Sequence, residues 1–173
     1  MRRDQNDAGV TLERIQRDSA TVLDNLFELY AYDFSEHVPI QLHPSGRFGI
    51  TPSDAWWTRG DHFAYLIRRE GALAGFALAR AGSRVTAAAD VMDVAEFFVL
   101  RGERRKRIGT RAAHALFAEF PRAWEVRVRQ TNVSAMAFWS HAAETWTGRA
   151  VEATPLSIDE VTWNVLRFAK ETP

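Results

Sequence analysis

Between Val91 and Phe120 an apolar run breaks into a basic turn, and the turn opens directly into an amphipathic stretch. Val91–Leu100 is apolar enough for a buried strand. Ile108, Ala112, Ala113, Leu116, Phe117 and Phe120 then recur at helical spacing. Pro121 ends the pattern, because it lacks the N–H that a continuing helix needs. Six Lys or Arg residues against one acid, Glu103, lie between Arg101 and Arg111. A strand, a turn with unpaired N–H groups and a helix N-terminus together form a cradle for phosphate.

The remaining sequence supplies strands to go beside this unit. Val10–Gln16 alternates as a short strand, and Asp18 or Ser19 is placed to cap a helix. Val22, Leu23, Leu26, Leu29, Tyr30 and Phe34 give that helix an apolar stripe. Residues 38–60 are punctuated by Pro and Gly and read as irregular, with Arg47–Ile50 as an edge segment and Ser53–Trp57 as one helical turn. His62–Arg69 and Ala72–Arg80 flank Glu70-Gly71 as a hairpin. Trp124–Arg129 alternates as a strand, and Asn132 caps a helix running through His141. Thr145–Ala153 and Val161–Ala169 read as two closing antiparallel strands. So many strands with three or four helices cannot close a bundle; a mixed sheet with helices on both faces is the expected α/β packing.

Composition narrows the function. The 173 residues carry a formal net charge of zero, so the basic turn is a local feature and not part of a general polyanion-binding surface. Nucleic-acid binding is therefore not expected. There is no cysteine, which removes disulfides, a thiolate nucleophile and a Cys-based metal site. Without a signal-like start or an apolar run of membrane-spanning length, a cytoplasmic protein away from membranes is expected. Residues 1–8 are expected to be disordered, and residues 9–170 to form a single domain.

Val99-Leu100-Arg101-Gly102-Glu103-Arg104-Arg105-Lys106-Arg107-Ile108-Gly109 resembles the acetyl-CoA motif of the GNAT acetyltransferase superfamily, in which Gln or Arg, two residues, Gly, one residue and Gly or Ala follow a strand and open a helix. Arg104 and Gly109 match the first and last positions; Arg107 replaces the usual first glycine, which it could do at negative φ. Ala72–Leu78 resembles the family's central strand, with a glycine, Gly75, before an apolar pair. Asn132-Val133-Ser134-Ala135-Met136-Ala137-Phe138-Trp139 resembles its second motif. The resemblance implies a mostly antiparallel sheet of six to seven strands flanked by three to four helices.

It also implies acetyl-CoA as cofactor, with the pantetheine arm between strands that splay apart, here between Phe98–Leu100 and Val126–Val128. Arg104, Arg105, Lys106, Arg107, Ile108, Gly109 and Thr110 would take the pyrophosphate; Phe98, Val99, Leu100, Asn132 and Trp139 would meet the arm. Glu96 stands where the family's general base is usual, among apolar neighbours that would raise its pKa; Asp93 is the next choice, through a water. Trp139 replaces the tyrosine that usually protonates the leaving thiolate, and His141 could substitute.

The acceptor site is expected between Tyr30 and His62. Tyr32, Asp33, Glu36, Asp54, Trp56 and Trp57 make this segment acidic and aromatic, which suits a cationic amine such as an aminoglycoside-type antibiotic. Transfer to a protein lysine or N-terminus, and a non-catalytic CoA-binding sensor, are the other readings. The resemblance also implies a homodimer as one arrangement.

Overall fold

The computed structural model describes residues 9–170; the expectation of disorder for residues 1–8 lies outside them. Seven strands form one sheet in the order β1-β2-β3-β4-β5-β7-β6. They are β1 (Val10–Arg14), β2 (His62–Arg69), β3 (Ala72–Ala81), β4 (Val91–Val99), β5 (Ala123–Arg129), β6 (Ala153–Ile158) and β7 (Val161–Phe168). The helices are α1 (Ala20–Phe34), α2 (Ala55–Thr58), α3 (Ile108–Glu119) and α4 (Val133–Thr147). Every strand pairing is antiparallel except β4–β5, which the α3 crossover makes parallel.

The sheet is buried on both faces by different helices. On one, Leu116 and Phe117 of α3 and Trp139, Ala142 and Ala143 of α4 pack over Met92, Val94, Trp124, Val126 and Leu166. On the other, Leu23, Leu26 and Phe27 of α1 pack over Leu66, Phe76, Leu78 and Phe98. Each such side chain contributes roughly 1.5–3 kcal/mol on burial, so these stripes fix where the helices sit. Leu29, expected in the α1 stripe, is instead half exposed, and Ala31 takes the inward position.

Three local expectations are corrected. Helix α4 does not stop at His141 but continues to Thr147, so no strand runs over Thr145–Ala153; β6 begins at Ala153. Ala142 and Ala143 extend the buried face that holds the helix to the sheet, and the Thr145 and Thr147 hydroxyls donate back to the carbonyls of His141 and Ala143, one turn earlier. Gly148, at φ 73°, then ends it. Arg47–Ile50 adds no strand; the Glu28 carboxylate accepts from the Phe48 and Gly49 N–H groups, 2.8 Å each, and holds that loop against α1. Ser19 occupies the position before α1 but makes no side-chain cap bond, because residues 17–19 form a 3₁₀ turn leading into the helix.

Candidate active site

The β4–β5 pairing runs only from Val91↔Ala123 to Val94↔Val126, although β4 continues to Val99 and β5 to Arg129. Beyond Val94 the two strands stay with their other neighbours, β3 and β7, and the sheet opens into a cleft. The opening lies between Ala95–Val99 and Arg127–Arg129, slightly earlier on β4 than expected. Its cause is a bulge: Leu78 pairs with Glu96 and Ala79 with Val94, so Ala95 is the extra residue and β4 bends there.

Main-chain groups line the opening. The Leu100 N–H donates to the Ala74 carbonyl at 2.9 Å, so alternation along the antiparallel ladder turns Phe98 and Glu96 toward β3 as well. The same alternation turns Phe97 and Val99 toward β5, which is no longer in reach. These edge groups could bond an extended amide chain as a strand would. Gly75 makes the β3–β4 contact possible, since a Cβ there would lie 1.9 Å from the Phe98 carbonyl oxygen.

At the far end of the cleft is the basic turn. Arg107 precedes α3 with φ 60° and ψ 8°, the left-handed conformation, and Arg105 also has positive φ. The expected negative φ at Arg107 is thus corrected: the backbone keeps the shape that glycine adopts easily, at a cost of about 1–2 kcal/mol for an L-residue. The first-turn N–H groups of α3, on Ile108, Gly109 and Thr110, receive no side-chain cap and face outward as an anion cradle. Gly109 also lets α4 approach; a Cβ there would sit 3.0 Å from the Phe138 ring.

The arginines of this turn are not equivalent. Arg104 donates through Nε to the Val99 carbonyl at 2.9 Å and through a second nitrogen to Asp33, with its guanidinium over the Phe98 ring. Arg101 donates to the same Asp33 at 2.5 Å. Against the upward push of burial, these bonds hold Asp33 below the usual carboxylate range. Lys106 pairs with Glu103 at 3.3 Å. Arg105 and Arg107 are exposed on the turn and carry the charge available to a phosphate.

Glu96 projects from the bulged part of β4 toward α1, where the Tyr30 hydroxyl donates to its Oε2 at 2.5 Å. Burial pushes the Glu96 carboxyl above its ordinary range, while the Tyr30 hydrogen bond and the Arg127 and Arg80 charges pull against that shift. Burial and the Glu96 charge likewise keep the Tyr30 proton bound well beyond the usual phenol range. The pair therefore joins a carboxyl that burial keeps protonated to higher pH than usual to a phenol that keeps its own proton and orients it.

Asp93 is on the same face but wholly buried, taking 2.8 Å and 3.3 Å ion pairs from Arg80 and Arg127. Both guanidiniums lie on its oxygens. His141 is exposed on α4, which packs on the opposite face of the sheet from Tyr30 and Glu96. Trp139, 6 % exposed, packs its ring 5.0 Å from Phe97 and belongs to the core. Asn132 caps α4, accepting from the Ala135 N–H at 3.0 Å.

The residues expected around the acceptor are mostly engaged with other side chains, Asp33 and Glu36 sharing one arginine. Asp33 and Glu36 face Arg101, Asp54 pairs with Arg17 at 2.9 Å, Trp56 packs on His62, Trp57 lies against the α1 core and Tyr32 is exposed. Sequence reasoning missed Tyr30, Phe97, Arg127, Arg129 and Trp163. Alternation on β5 could have separated Arg127 and Arg129 from Trp124, Val126 and Val128, but nothing local pairs Tyr30 with a residue 66 positions away.

A pair of strands that splays and a basic turn that opens into a helix are the geometry expected of the GNAT resemblance, and the family model for the acetyltransferase (GNAT) family matches residues 23–142. The chain belongs to the GNAT family. This acetyltransferase has no significantly similar sequence among curated proteins. Among solved structures it is similar to aminoglycoside acetyltransferase AAC(6')-Ib in complex with coenzyme A and kanamycin, at 11% identity and TM-score 0.69, covering 93% of this chain and 95% of that one. An acetyltransferase from Thermus thermophilus is 15% identical with TM-score 0.67, covering 92% of this chain and 96% of that one. Arabidopsis thaliana NAA60 in complex with acetyl-CoA is 11% identical with TM-score 0.59, covering 92% and 98% respectively. At these identities the likeness is one of fold. Among the described residues no helix is long and apolar enough to cross a membrane.

Proposed function

We propose that this GNAT enzyme transfers acetyl from acetyl-CoA to a primary amine of a small polar molecule, by direct attack in a ternary complex. Acetyl-CoA supplies the thioester whose C–S bond breaks as the new C–N bond forms. The N–H groups at the start of α3, with Arg105 and Arg107, would hold its pyrophosphate, and the Phe97 and Val99 main chain its pantetheine arm. A main-chain N–H at the bulged stretch of β4 is suited to the carbonyl oxygen, where charge develops. Glu96 receives the proton that the ammonium must lose, and Tyr30 holds the carboxyl in place. Coenzyme A leaves as its thiolate and takes up the second proton, which the nitrogen sheds once the C–N bond has formed, so Trp139 need not act as an acid.

The Glu96–Tyr30 hydrogen bond at the mouth of the cleft is the observation that carries this reading. An aminoglycoside acceptor has less support than the amine class, because the acids it relied on, Asp33, Glu36 and Asp54, are paired with arginines. The absence of cysteine accords with a cytoplasmic setting, and β1 and β6 are the sheet edges through which two copies could pair. Thiol release from acetyl-CoA, measured with small amines, kanamycin and N-terminal peptides, tests the proposal. Glu96→Gln is expected to lower kcat/KM by roughly 10²–10⁴-fold at neutral pH. Parent activity for Glu96→Gln at every pH would remove Glu96 from the mechanism. Tight coenzyme A binding with no turnover of any amine would favour a sensor.

A further inference from the structure

On the α1 side of the opened sheet, every acid of β4 and β5 has a partner. Asp93 is shared by Arg80 and Arg127, Glu125 accepts from Arg167 at 2.9 Å and from Ser83 at 2.7 Å, and Glu96 accepts from Tyr30. One cation is left over. Arg129 has no carboxylate within ion-pair distance among the described residues, and its Nε–H is buried without an acceptor. It sits on the last residue of β5, directly beside Trp163 of β7, with its guanidinium 5.2 Å from that ring. Arg127 lies 5.6 Å from the same ring. Both arginines belong to the stretch of β5 that forms the cleft wall opposite Glu96, and the Arg129 charge is felt at the Tyr30 hydroxyl.

Four guanidiniums, those of Arg80, Arg127, Arg129 and Arg167, thus share this face with two committed carboxylates, Asp93 and Glu125, and with Glu96, whose charge burial disfavours. A polycation would meet net positive charge here. A buried guanidinium N–H without an acceptor is unfavourable by about 1–3 kcal/mol, and a planar carboxylate matches its fork. We infer that the acceptor is a primary amine that also bears a carboxylate, and that Arg129, backed by Arg127 and Trp163, binds that carboxylate while the amine lies toward Glu96. The positive surroundings would also disfavour the ammonium form of the acceptor, helping it surrender the proton to Glu96.

This inference rests on the acetyl-transfer reading above, and the test separates the two. Thiol release is measured with matched pairs, each an amino carboxylate and the amine lacking only that carboxylate: phenylalanine and phenethylamine, tryptophan and tryptamine, leucine and 3-methylbutylamine. Phosphoethanolamine and kanamycin serve as competing chemistries. The parent enzyme is expected to favour at least one carboxylate-bearing member by roughly 10- to 100-fold in kcat/KM, the worth of a charge-assisted bond. In Arg129→Gln that ratio should fall toward one, and Arg129→Lys, which keeps the charge without the fork, should give an intermediate ratio. Thermal melts confirm that both variants fold; if neither does, the ratio in the parent enzyme decides. Turnover that favours the decarboxylated amines, kanamycin or phosphoethanolamine overturns the inference and leaves amine acetylation standing. A ratio unchanged in Arg129→Gln overturns the assignment to Arg129. No turnover with any amine overturns both readings together.

Discussion

Burial and one hydrogen bond act in opposite directions on the carboxyl at the centre of the site. Tyr30 donates to Glu96, and the bond favours the ionised carboxylate that burial opposes. Tyr30→Phe removes only that donor, so the Glu96 carboxyl should titrate at still higher pH. The acid limb of the kcat/KM profile is then expected to move up, by about one pH unit for each 1.4 kcal/mol that the bond contributed. A pH profile of the variant that overlays the parent's would show that Tyr30 does not tune Glu96. Glu96 was readable in the sequence as an acid among apolar neighbours. Tyr30 was readable only as a member of a core stripe, because its partner is set by how α1 crosses β4.

The bulged strand and the turn after it are shaped by close backbone contacts. Gly75 brings β3 within reach of the Phe98 carbonyl, and no Cβ fits the 1.9 Å gap. Gly75→Ala should therefore destabilise by roughly 3 kcal/mol or more, measured by urea unfolding, since the contact is with main chain that cannot swing aside. A loss below about 1 kcal/mol would contradict the contact. The turn before α3 holds Arg107 in a left-handed conformation. Arg107→Gly should stay within about 1 kcal/mol of the parent, relief of strain being offset by the freer unfolded chain. Arg107→Val, β-branched at the same φ, should lose more than Arg107→Gly by about 1–2 kcal/mol. Equal losses would place the effect in the arginine side chain and not in the backbone. The family pattern showed that glycine is usual here, but whether the backbone or the residue would yield was a question for three-dimensional packing.

Five acids, spread over the described residues, have displaced titrations and fall into two groups with opposite pH dependence. Hydrogen bonds and guanidiniums hold Asp33, Asp61, Glu28 and Glu103 below the usual range. For these the stabilisation is complete above the unfolded-state value of about 4 and fades as pH falls through the folded values. Glu96 is raised, so its contribution is complete below about 4 and is lost as pH rises through its folded value. Thermal melts should show stability dropping below about pH 4, and Glu96→Gln should raise Tm relative to the parent toward alkaline pH while matching it in acid. A Tm advantage confined to acid pH would reverse that sign. The strand–turn–helix unit around Arg101–Arg111, the two helix stripes and the position of Glu96 were set by local sequence, because periodicity and backbone chemistry act over a few residues. The length of α4 escaped that reading, since Ala142 and Ala143 look neutral until a sheet buries them. Only the tertiary structure decided that β4 and β5 part after Val94, that Tyr30 meets Glu96, and that the cleft wall ends in an unmatched Arg129. Those features depend on which charges remain after distant strands have paired, a sum over contacts that no local segment contains.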